Sequence, residues 1–108
     1  MKGIADAARG FAAVGSEARI EVLLVLVRAG DGGLNVGEIR ERTGIPASTL
    51  AHHLRILAEA GLIRQSRNGR QTHNVADYER LRALSTFLLR NCCADRPTEP
   101  AEMEAMQS

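Results

Sequence analysis

Between Gly3 and Val14 the apolar residues Ile4, Ala7, Ala8, Phe11 and Ala12 recur at helical spacing and predict a first helix. Gly15 interrupts the pattern, and Ser16 suits the cap of a second helix reaching Ala29. There Ile20, Val22, Leu23, Leu24, Leu26 and Val27 wrap most of the circumference, which predicts deep burial. Gly30-Asp31-Gly32-Gly33 closes it, because glycine tolerates the left-handed turn that ends helices. Asn35 is placed to cap a third helix, Val36 to Thr43, ended by Gly44. After Ile45, Pro46 suits the first position of a fourth helix reaching Ala60, with Leu50, Leu54, Ile56 and Leu57 facing inward.

Beyond Gly61 the period changes. Leu62 to Arg67 and Arg70 to Val75 read as two short strands, and Asn68-Gly69 between them is a strong hairpin signal, since both turn positions would take positive φ. Asp77 then caps a last helix reaching roughly Asn91, with Tyr78, Leu81, Leu84, Phe87 and Leu88 as its stripe. The expected architecture is mainly α with a small β-hairpin, in the order α-α-α-α-β-β-α. Residues 1–93 form the folded domain, and 94–108 an acidic, disordered tail.

Composition sharpens this picture in three places. At 108 residues the chain is one domain, and with 44% hydrophobic but only 3% aromatic residues its core must rest on Leu, Ile, Val and Ala. So small a core favours oligomerisation. The net charge of +1 says little, but its distribution says more. From Ile45 to Asn74 the cations Arg55, Arg64, Arg67 and Arg70 face one acid, Glu59, whereas Asp95, Glu99, Glu102 and Glu104 dominate the C-terminal end. No stretch approaches the roughly 18 apolar residues of a membrane span, and the N-terminus lacks a signal peptide's apolar run. The expected location is the cytoplasm.

The third and fourth helices, joined by a short turn containing Gly44, have the lengths of a helix-turn-helix. In such a motif the second helix enters the major groove and its early residues reach the bases. Here Ser48, Thr49, His52 and His53 supply polar groups for bases or phosphates, and Arg55 lies a turn further on for a phosphate. The hairpin adds a wing, with Arg67 and Arg70 flanking its tip to straddle the backbone or enter the minor groove. The expected partner is double-stranded DNA.

The stretch Ala47-Ser48-Thr49-Leu50-Ala51-His52-His53-Leu54-Arg55-Ile56-Leu57, running into Ala60-Gly61-Leu62-Ile63, resembles the recognition helix of the ArsR/SmtB family of bacterial metal- and metalloid-responsive repressors. The Arg67-to-Arg70 wing and the opening of the second helix, Ser16-Glu17-Ala18-Arg19-Ile20, are similar to that family too, and the likeness extends from about Ala13 to Cys93. The resemblance implies a winged helix-turn-helix dimer held by the first and last helices. It implies an inverted-repeat operator near a promoter, and release when an inducer binds. The dimer agrees with the composition, since Ile4, Phe11, Leu84 and Phe87 would be too exposed in a monomer.

The family's sensing sites vary, and two of them are missing from this sequence. Leu34 to Arg42 holds no Cys-x-Cys, and no histidine follows Asp77. What remains is Cys92-Cys93, and Asn91-Cys92-Cys93 resembles the Asn/Asp-Cys-Cys ending of a subgroup that senses trivalent arsenicals. Soft trivalent arsenic and antimony take thiolate ligands. The commonest form of that ending has a further cysteine, absent here from Ala94 to Ser108, so a methylarsenical needing two thiols fits better than arsenite needing three. No resident cofactor is required. The same pair could instead cycle through a disulfide as a redox or reactive-sulfur sensor, or play no sensing role.

An enzyme is disfavoured. The sequence has no glycine-rich phosphate loop, no supported Ser/His/Asp set and no framed carboxylate pair. A winged-helix module that binds proteins rather than DNA is the remaining class.

Overall fold

Side-chain caps fix where three of the helices begin. Ser16 Oγ accepts from the Arg19 amide, Asn35 and Glu38 form a reciprocal capping box, and Asp77 accepts from the Arg80 amide. The computed structural model describes residues 3–96. Its elements are α1 (Ile4–Ala13), α2 (Glu17–Ala29), a single 3-10 turn (Gly30–Gly32), β1 (Leu34–Asn35), α3 (Val36–Thr43), α4 (Ala47–Glu59), β2 (Ile63–Asn68), β3 (Gln71–Ala76) and α5 (Tyr78–Leu89). Of the expected tail from Ala94 onward, residues 97–108 lie outside those described. No helix among the described residues is long and apolar enough to cross a membrane.

The core is aliphatic. Val22, Leu23 and Leu26 of α2 meet Ile39 of α3, the Leu50-Leu54-Leu57 stripe of α4, and Leu34, Leu62, Ile63 and Ala76 around the sheet. On the other side α1 and α5 pack together. Gly10 leaves no room for a side chain, since a Cβ there would come within 2.9 Å of Leu84. Beside it Arg80 grips Asp6 with two hydrogen bonds of 2.8 and 2.9 Å.

Four expectations need correction. The hairpin belongs to a three-stranded antiparallel sheet of order β1-β3-β2, because Leu34 and Asn35 pair with Asn74 and His73. Its turn is one residue further along. Asn68 pairs with Gln71, leaving Gly69 and Arg70 as the two-residue loop. Only Gly69 takes positive φ there, the pattern of a II′ turn with glycine first, so Asn68 is not forced into a left-handed conformation. Pro46 is the residue before α4 rather than its first. Finally, α2 is not deeply buried all round: Ile20, Leu24 and Val27 are exposed, because α3, α4 and the sheet cover just one of its faces.

The apolar residues expected to need a partner also sort differently. Leu84 is buried within the monomer by α1, while Phe11 and Phe87 are half-buried. Ile4 at 80%, Leu88 at 68% and Leu89 at 65% are the exposed ones. They lie at the start of α1 and the end of α5.

The sheet is pinned by a polar residue that the strand pattern does not mark. Asn74 is fully buried, and its Nδ2 donates to the Leu34 and Thr72 carbonyls at 3.2 and 3.5 Å. Its Oδ1 accepts from Gln65 Nε2 at 2.9 Å. One side chain thus joins all three strands beneath the wing. Asn74→Leu strands the Leu34 carbonyl and the Gln65 amide, and is expected to lower unfolding free energy by about 1–3 kcal/mol in urea denaturation. An unchanged midpoint would refute the anchoring role.

Candidate nucleic-acid interface

Thr43 and Gly44 set the entry to α4. Gly44 ends α3 in the left-handed conformation, with its amide on the Arg40 carbonyl at 2.8 Å. Thr43 Oγ1 donates to the Ile39 carbonyl and accepts from the Ile45 amide. Pro46 offers no side-chain acceptor, so the first-turn amides of α4 are uncapped among the exposed residues Ala47, Ser48 and Thr49. A helix N-terminus left open in this way favours anions such as phosphate.

With 3.6 residues per turn, burying Leu50, Leu54 and Leu57 turns Ser48, His52 and Arg55 to the opposite face. All three are exposed, and Thr49 with them. Arg55 Nη2 donates to His52 Nδ1 at 3.2 Å, which leaves the His52 Nε2 edge pointing outward.

His53 stands apart from that stripe, which corrects its expected role. One residue beyond His52, it is rotated about 100° round the helix to the flank it shares with the half-buried Ile56. Arg19 Nη1 donates to its Nδ1 at 3.4 Å, and Arg19 Nε donates to the Ala13 carbonyl at the end of α1. Burial, then the Arg19 charge, then His52 push the His53 pKa below the ordinary 6.5. His53 is therefore neutral at pH 7 and receives a proton from a protein group. Composition alone gave no sign of Arg19, although a cation in a helix's first turn runs against the dipole and is a visible anomaly.

The wing leaves α4 without slack. Gly61 at positive φ and Leu62 send their amides back to the Ala58 and Leu57 carbonyls, both at 3.0 Å, and buried Leu62 follows buried Leu57. This is a Schellman ending. In β2 only Ile63 is buried, so the strand runs out beyond the core and carries Arg67 and Arg70 exposed at its tip. Arg67 Nε reaches the Gly69 carbonyl at 3.4 Å. Arg64 leans instead towards Asp77, 3.9 Å away. Among the described residues Arg55, Arg67 and Arg70 form no ion pair, so their charge is available to an anionic partner. The wing base is also tied to α3, where Asn35 Nδ2 donates to Gln71 Oε1 at 3.3 Å.

The cysteines lie after α5 in a series of turns. Cys92 is exposed and Cys93 half-buried, both are free thiols, and their sulfurs are 3.5 Å apart. The bond to Cys93, then burial, then the Cys93 charge raise the Cys92 pKa, so its thiol keeps its proton at neutral pH. Cys93 has φ 62°, a left-handed conformation that costs a side-chain-bearing residue on the order of 1 kcal/mol. Arg90 covers the Phe87 ring at 4.6 Å one turn earlier. Among the described residues no three His, Cys, Asp or Glu side chains converge as metal ligands.

Residues 14–66 match the family described as a helix-turn-helix domain. A search of curated proteins returned no match. Among solved structures the chain is similar to an ArsR-like transcriptional regulator from Rhodococcus sp. RHA1, at 28% identity and TM-score 0.70, covering 80% of this chain and 78% of that one. It is similar to the AntR antimony-specific transcriptional repressor at 25% identity and TM-score 0.58, covering 91% and 78%. A homodimeric winged helix-turn-helix DNA-binding domain from Mycobacterium bovis shares the fold at 21% identity and TM-score 0.66, covering 83% and 89%. These proteins regulate transcription and are not enzymes. The chain thus contains a helix-turn-helix domain, and its fold is the winged helix-turn-helix of ArsR-like transcriptional regulators.

Proposed function

We propose that this chain is a homodimeric, DNA-binding transcriptional repressor of the ArsR/SmtB type, released from its operator when a thiol-reactive inducer binds Cys92 and Cys93. The reading rests above all on one juxtaposition. The exposed Ser48-His52-Arg55 stripe and the unpaired wing arginines Arg67 and Arg70 are joined through a single rigid helix ending. Ser48, Thr49 and His52 read base edges, and Arg55, Arg67 and Arg70 take phosphates or the minor groove. Exposed Ile4, Leu88 and Leu89 on α1 and α5 suit burial against a second copy. A two-fold pair would then meet an inverted repeat with half-sites roughly 34 Å apart.

The donor set suits a soft trivalent ligand needing two thiols. A soft ion lies about 2.3 Å from each thiolate sulfur, so sulfurs at the observed separation subtend roughly 100° at it. Each S–H proton leaves with a hydroxyl of the arsenical as water, and two As–S bonds replace two As–O bonds. Methylarsonous acid, with one valence on carbon, is satisfied by this pair. Arsenite or antimonite needs one more ligand. Likeness to an antimony-specific repressor supports the same class.

The thiol contact also supports a second reading, in which peroxide takes two electrons and two protons from the pair to give a disulfide and water.

On a duplex from upstream of its own coding sequence, the protein is expected to give specific retardation at moderate salt. Its absence would favour a protein-binding module. Arg70→Ala is expected to weaken binding to all duplexes alike and flatten the slope of log affinity against log salt by about 1, as lost phosphate contacts do. His52→Ala should instead relax sequence preference, at about 1–3 kcal/mol for the affected base pair. A full salt slope in Arg70→Ala would remove the wing from the interface.

Cys92→Ser and Cys93→Ser are expected to hold the duplex in the presence of arsenite, antimonite or methylarsonous acid that releases the parent. Release by methylarsonous acid should vary little between pH 6 and 8, because the protons leave as water, whereas zinc must displace them and would act better at higher pH. Release of both variants as readily as the parent would place the inducer elsewhere. Release by peroxide alone would assign the redox reading.

A further inference from the structure

We propose that Arg19 is a positioning residue for DNA recognition: one guanidinium fastens the end of α1 to His53 and so sets the pose of the recognition helix α4. The proposal rests on the DNA-binding reading above, and adds a residue that contacts no DNA.

Arg19 occupies the third position of α2, where its amide is already committed to the Ser16 cap. A cation in a first turn is opposed by the helix dipole, so its side chain has no local reason to be there. The reason is tertiary. Its Nε caps the Ala13 carbonyl, one of the last-turn acceptors of α1 that no intrahelical amide reaches, and α1 has no basic residue in its own last turn. Its Nη1 reaches the flank of α4 at His53 Nδ1.

Little else closes that seam. Beside the strut, α1 and α4 are separated by an open cleft of about 260 Å³ lined by Arg9, Ala12, Ala13, Ile56, Glu59 and Ala60. At its other end α1 is held to α5 by the Asp6–Arg80 pair. The strut therefore joins the α1–α5 pair to the reading helix by a directional polar contact.

The contact has a chemical requirement. A guanidinium only donates, so His53 must offer a lone pair at Nδ1 and carry its proton on Nε2. The groups that act on its charge are Arg19 from α2 and His52 from α4, and neither is a carboxylate. Protonated His53 would have no lone pair and would face a like charge. Its folded-state pKa is below the unfolded value, so the contact is complete above about pH 6.5 and is lost as pH falls through the folded value.

The test is operator affinity by fluorescence anisotropy at pH 7.5 and 5.5, at fixed ionic strength, on the promoter duplex, for the full chain and three variants. Arg19→Ala is expected to bind about tenfold more weakly at pH 7.5, the size of one charge-assisted hydrogen bond. His53→Asn keeps an acceptor oxygen near the place of Nδ1 but does not titrate. It is expected to stay within about threefold of the parent at pH 7.5 and to escape an acid-side loss that the parent suffers, with His52 unchanged in both. Arg19→Lys keeps the charge but cannot fork to two acceptors, and should fall between parent and Arg19→Ala.

Should Arg19→Ala fail to fold in urea denaturation, the pH profile of His53→Asn decides. Arg19→Ala binding like the parent, or His53→Asn repeating the parent's acid profile, overturns the proposal alone. A parent that binds no promoter duplex overturns the DNA-binding reading and this proposal with it.

Discussion

The leucine stripe of α4 governs everything outward of it. Leu50, Leu54 and Leu57 are almost wholly excluded from solvent against α2 and the sheet, and truncating such a residue costs about 2–5 kcal/mol. Their burial fixes the rotation of the helix, and the rotation decides which side chains are presented. Ser48, His52 and Arg55 face out because those leucines face in. In a chain with so few aromatic residues the orientation depends on aliphatic packing, and polar contacts only trim it.

Most of the helical layout was legible because its punctuation is chemical. Ser16, Asn35 and Asp77 cap, and Gly44 and Gly61 end, where their residue types require. What escaped was whatever depends on a distant partner. The two residues of β1 are too short for any period to reveal, and exist only because β3 passes beside them. The turn moved by one residue because register is set along the whole of β2 and β3, with Ile63 opposite Ala76, and not by the attraction of Asn-Gly for a turn. The exposed apolar flank of α2 escaped for the same reason: a circumference of apolar residues does not say how many neighbours exist to cover it.

The interface divides along the same line. Arg55, Arg67, Arg70, Ser48, Thr49 and His52 are exposed where a local reading places them. His53 is not with them. Adjacent residues on a helix differ in direction by more than a right angle, so a His-His pair cannot act as a unit. Arg19 could be suspected only from its conflict with the helix dipole, and Asn74 from nothing local at all.

The Schellman ending at Gly61 has a consequence for how the molecule adapts. With two backbone hydrogen bonds and an apolar contact spanning the junction, the reading helix and the wing behave as one stiff body. Closing on a duplex then costs little configurational entropy at that joint, since the two gripping elements need not find one another first. The same stiffness restricts evolution and regulation alike: a change of target must come through side chains, and a signal must swing the whole head, because the angle between its parts is not free to vary.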